Sequence, residues 1–174
     1  MPFSNLSIDI NTLPRQEELE LQPVSPKFKT VQWWNWSILW IIIAALFTGF
    51  LFLPKVNLSN TAIFIIGGSL LLLAIIHKIT QLLSFRFRAF AVREHDIVYQ
   101  QGWLIRKKEF CPLSRVQHCS INAGIFERKY GLATLEVFTA GSNGADIAIK
   151  GLTAEQATLL KEMIIKNAGQ DDNI

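Results

Sequence analysis

Few residues in this chain are suited to chemistry, and they are scattered. His118 lies between Ser114 and Ser120, with Asp146 further on, so a serine–histidine–aspartate trio can be written on paper. Neither serine sits in a nucleophile-elbow sequence, and residues this common meet by chance. A hydrogen-bonded structural histidine on a strand is the plainer reading of His118. Cys111 and Cys119 cannot complete a zinc site by themselves, and the three histidines lack ligand spacing. Both cysteines read as small core or strand residues. Gly141-Ser142-Asn143-Gly144 is a hairpin turn rather than a phosphate cradle, because no helix start follows it directly. No catalytic residue, cofactor or metal site is expected, and the chain reads as non-enzymatic.

Charge is more informative. The 174 residues carry a net +3, but from 78 to 115 eight cations face three anions, an excess of five. Arg86, Arg88, Arg106, Lys107, Lys108 and Arg115 are the candidate face for anionic lipid or a partner. Three readings stay open: the positive bias that follows a membrane span, docking on an anionic leaflet, or a headgroup pocket. Nucleic acid is not an expected partner, because tethering restricts access and the far half of the domain is not basic.

The segments that must position these residues begin with two apolar runs. Residues 36–53 and 61–76 contain no charged side chain, and a proline-marked turn bearing Lys55 separates them. One helix across both would be about 60 Å long at 1.5 Å per residue, roughly twice the hydrocarbon thickness. It would also place Lys55 near mid-membrane, at about 2.5–3.5 kcal/mol. Two spans avoid both costs. Lys27 and Lys29 precede the first span, and His77, Lys78, Arg86, Arg88 and Arg93 follow the second. That distribution predicts a multi-pass membrane protein with both termini cytoplasmic. Trp33, Trp34, Trp36 and Trp40 would form an aromatic belt at the interface. The cysteines would then lie in a reducing compartment, where a structural disulfide is not expected.

Residues 1–30 are polar and proline-marked and read as a mobile cytoplasmic tail. The anchor is expected over 33–77, a compact domain over 78–168, and a short tail over 169–174. Within the domain the pattern alternates. Phe85, Phe87, Ala89 and Ala91 point one way, and further strands follow at 97–101, 103–110, 114–121, 132–140 and 145–150. Thr153-Ala154-Glu155-Gln156 has the form of a capping box, and Ala157, Leu160, Met163 and Ile164 make an apolar stripe behind it. Gly169 is a natural stop. Gly124 and Gly131 bracket a helical turn where positive φ is expected, with Arg128 pinning it.

The fold class expected is a membrane α-helical hairpin of two transmembrane helices followed by an α+β domain. That domain is a bent antiparallel sheet of six or seven strands capped by one C-terminal helix, the general plan of the pleckstrin-homology superfold. The ordered series PLSRVQH (112–118), GIFERKYGLATL (124–135), TAG (139–141) and KGL (150–152) resembles the bacterial PH-like domain family typified by the membrane proteins YdbS and YdbT. The likeness covers about 33–168 and marks Gln117, Gly124, Arg128, Gly131, Gly141 and Gly151 as motif positions. Cys111 and Cys119 stand where aliphatic residues would be expected. The resemblance implies a membrane-anchored protein of the bacterial inner membrane that presents a cytoplasmic interaction module and has no enzymatic activity. The expected partners are the lipid bilayer and, because accessible antiparallel sheet edges lend themselves to strand pairing, either a second copy or another membrane protein with related domains. The resemblance also implies a link to envelope stress or antimicrobial-peptide tolerance. The alternatives are an anionic-lipid headgroup sensor or an auxiliary subunit of a membrane complex.

Overall fold

The computed structural model describes residues 20–54, 58–140 and 144–168. The elements are β1 (Gln22–Pro23), α1 (Phe28–Leu51), α2 (Asn60–Arg86), β2 (Ala89–Val92), β3 (Asp96–Gln101) and β4 (Lys107–Pro112). A single 3-10 turn (Leu113–Arg115) leads to β5 (Val116–Asn122), α3 (Ile125–Lys129), β6 (Leu132–Thr139), β7 (Ile147–Thr153) and α4 (Ala154–Ala168). The seven strands among the described residues pair antiparallel throughout, in a sheet ordered β1-β2-β3-β4 and a second ordered β5-β6-β7.

The long helices α1 and α2 are long and apolar enough to cross a membrane. They are not the core of a soluble protein, because Ile41, Leu46, Phe64 and Ile65 each expose more than half of their surface. A surface of that kind needs lipid around it. Ser59 caps α2 by accepting the Ala62 amide at 3.2 Å. With 27 residues, α2 is about 40 Å long, some 10 Å beyond the hydrocarbon.

The domain core joins both sheets. Ile97, Tyr99, Leu135, Val137, Ile149 and Leu152 are fully buried, with Cys111 and Cys119 among them. Helix α4 closes one end by laying Ala157 and Ile164 onto this core, with Leu160 at its margin. Its capping box forms as expected: Thr153 Oγ1 accepts the Gln156 amide at 3.1 Å, and Gln156 Oε1 accepts the Thr153 amide at 3.0 Å.

Several boundaries differ from the sequence reading. Part of the expected tail is structured: β1 pairs with β2 through Gln22–Phe90 and Pro23–Ala89, and Val24 and Phe28 are buried. The helical hairpin is therefore inserted between the first and second strands of the domain, rather than preceding it. The strand expected from Phe85 begins only at Ala89, because α2 continues to Arg86; a helix already formed adds turns without a new nucleation cost. The strand expected from Trp103 begins at Lys107, after a loop. Gly131 takes φ +67, but Gly124 has φ −65 and needs no left-handed freedom. Gly141, the Gly141-to-Asn143 part of the expected hairpin, Lys55 in the connecting turn, residues 1–19 and Gly169 lie outside the described residues.

Candidate functional site

The place where the two long helices meet the sheets concentrates the buried, specific contacts. Phe28 opens α1 and lies over Gly151 of β7, which takes φ +83; a β-carbon there would stand 2.8 Å from the Phe28 ring. The Ser25 amide donates to the Gly151 carbonyl at 2.9 Å. Phe28, Val31 and Leu132 are buried together, with Phe85, Phe126 and Tyr130 packed around them. One turn further, Trp34 stacks on Phe126 at 5.8 Å and 5°, and its indole N–H donates to the Tyr130 hydroxyl at 2.9 Å. Trp36 donates to the Ala74 carbonyl and Trp40 to His77 Nδ1, each at 3.2 Å, tying α1 to α2. The expected aromatic belt is thus also a set of directed contacts, with Trp33 the most exposed of the four tryptophans.

The short helix α3 receives Trp34 because Glu127 fixes it. Glu127 Oε2 accepts the Gly124 amide at 2.8 Å, and Oε1 accepts the Thr134 hydroxyl at 3.0 Å. Arg128 was expected to pin this turn; it is exposed instead, and Glu127 makes the bonds.

Beside this junction opens a polar cleft of about 430 Å³. Gln32 and Asn35 of α1, Gln81 of α2, Arg88, Glu136 and Lys150 contribute to its walls. Glu136 accepts from Ser120 at 3.1 Å and from Asn122 at 2.7 Å. Arg88 lies over the Phe28 ring at 5.3 Å. Among the described residues, Arg88 Nε and Gln81 Oε1 are buried without a hydrogen-bond partner. Donors and acceptors of both charges suit the cleft to a polar ligand or peptide segment, and it holds no serine–histidine pair.

The paper trio does not assemble. His118 is exposed and stacks on Phe138 at 4.3 Å; Ser120 is committed to Glu136, and Asp146 accepts from Thr139. Burial pushes the Cys111 and Cys119 thiols up, so they stay protonated and poorly nucleophilic at neutral pH.

The six basic residues do not converge on one face. Arg86 is exposed at the end of α2, and Arg88 turns toward the cleft. Arg106 lies over Phe87 at 4.7 Å, Lys107 pairs with Glu109 at 2.5 Å, and Lys108 projects from the opposite face of β4. Arg115 follows the far end of β4, about 17 Å along the strand from Lys107. Gln117 is exposed at a bulge of β5 between Val116 and His118. Sequence reasoning missed Val24, Phe28 and Val31 as junction residues. The spacing of Phe28, Val31 and Trp34, three apart, is the helical signal that could have found them.

The sequence profile of the bacterial PH domain matches residues 31–168, taking in both long helices as well as the sheets. The chain belongs to the bacterial PH domain family. Two curated relatives are similar to it, both UPF0699 transmembrane proteins of Bacillus subtilis (strain 168). YdbS is 30% identical over 106 residues, 61% of this chain and 62% of YdbS. YdbT is 24% identical over 122 residues, 70% of this chain and 25% of YdbT. The chain thus spans less than two thirds of either relative. No solved structure matches it. Membership explains why α1 and α2 belong to the same unit as the sheets: the bacterial PH domain profile runs continuously through them.

Proposed function

We propose that this protein is a non-enzymatic membrane module that presents its PH-like domain in a fixed orientation to a partner at the cytoplasmic face of the inner membrane. The shared core of Phe28, Val31 and Leu132 carries this reading, because a domain packed onto its own anchor does not swing as one on a flexible linker does. Lys27, Lys29, Lys78 and Arg86 flank the spans on the side of the domain and support cytoplasmic termini. The partner we propose is a second copy or a larger membrane protein with related domains, engaged through a sheet edge or the junction cleft. Its physiological setting is envelope stress, including tolerance of antimicrobial peptides. Crosslinking in native membranes followed by mass spectrometry is expected to yield crosslinks from the cleft residues or β4 to such a protein. Recovery of the chain alone, after both crosslinking and mild detergent extraction, would remove the partner-based reading.

A further inference from the structure

The loop between β3 and β4, residues 102–106, carries the most exposed large apolar pair outside the long helices among the described residues. Leu104 is 78% and Ile105 80% exposed. The loop is shaped rather than loose. Gly102 takes φ +87, and any side chain there would strike the Ile105 carbonyl oxygen. At its far side Arg106 lies over the Phe87 ring just beyond α2.

Its position relative to the bilayer follows from Trp103, which lines one groove with His77 and Thr80 of α2. His77 immediately follows the last residue of the second uncharged run and accepts the Trp40 indole N–H. Trp40 and His77 therefore mark the level at which α2 leaves the hydrocarbon. The loop stands beside the emerging helix along its stretch from His77 to Phe87, with Leu104 and Ile105 exposed and Arg106 and Lys108 following them in the chain. Aliphatic and indole side chains backed by cations make the composition of an interfacial anchor. Anionic lipid complements the charge.

We propose that this loop is a second membrane contact. Leu104 and Ile105 enter the acyl-chain boundary of the leaflet from which α2 emerges, and Arg106 and Lys108 engage lipid phosphates. The spans and the loop together hold the domain at two points, so one side of the sheet is pressed to lipid and the other is left for a protein. The contact needs no protein partner, so it can stand or fall separately from the function proposed above.

The full chain is placed in nanodiscs containing anionic lipid, with an environment-sensitive fluorophore on Leu104→Cys or, separately, Ile105→Cys. Ser114→Cys serves as the exposed control, and the unsubstituted chain measures background from the buried Cys111 and Cys119. Both loop labels are expected to emit to the blue of the control, to resist a water-soluble quencher, and to be quenched by brominated acyl chains. Loop labels as accessible to the aqueous quencher as the control would overturn the proposal. So would a blue shift without quenching by brominated lipid, which would mean that protein covers the loop. Two label sites guard against a single variant that fails to fold.

Discussion

At the scale of single residues, Gly151 is the position on which the union of anchor and domain turns. Its φ of +83 disfavours any L side chain, and Phe28 occupies the space a methyl group would need. Gly151→Ala therefore meets both backbone strain and overpacking, together about 2–5 kcal/mol. Phe28→Ala removes a nearly buried ring and costs about 3–5 kcal/mol. The double variant is expected to be non-additive: with the ring gone, only the backbone part of the Gly151→Ala penalty, about 1–2 kcal/mol, survives. Thermal unfolding of the four proteins in one detergent measures this coupling. Additive losses would mean that the two residues do not share the space assigned to them. The glycine itself was marked by motif in the sequence; its contact with Phe28 was not, because the two lie 123 positions apart and no local pattern connects them.

At the scale of elements, what could be read and what could not divide along the range of the interactions. The capping box of α4, the alternation in β6 and β7 and the two apolar helices are local patterns and are present, with shifted ends. Helix α1 begins at Phe28, α2 continues to Arg86, and β7 runs from Ile147 to Thr153. Of the α4 stripe, Ala157, Leu160 and Ile164 face the core while Met163 is exposed. Strand β1 is two residues long, too short for any periodicity, and exists only because β2 offers it an edge. The four-residue alternation at Phe85-Arg86-Phe87-Arg88 fitted a strand equally well, and continuation from the preceding helix decided otherwise. The basic face was predicted from linear density, and the pleat of β4 and the path of the chain then dispersed it. One consequence is testable. A fragment of residues 88–168 lacks β1 and the Phe28–Val31 turn, leaving Leu132 and Phe90 uncovered. It is expected to unfold non-cooperatively, whereas a version that restores residues 20–31 through a short linker regains a single sharp transition. Equal cooperativity in both fragments would show that the hairpin insertion is dispensable to the domain.

At the scale of the whole molecule, the consequence is mechanical. Trp34 stacked on Phe126, the Trp34–Tyr130 hydrogen bond and the Phe28 contact with Gly151 join α1 to α3 and β7 at separate points. The domain is thus held at two places on α1, Phe28 and, two turns further on, Trp34, so a tilt of the spans is expected to turn the sheets with it. Paired spin labels on Ala45→Cys in α1 and Glu162→Cys in α4, both exposed positions, should report a single narrow distance distribution in nanodiscs. Trp34→Ala combined with Phe28→Ala is expected to broaden it, provided circular dichroism shows the helices and sheets retained. A distribution already broad in the unsubstituted protein would mean that the domain moves freely on its anchor, and presentation in a fixed orientation would then have no structural basis.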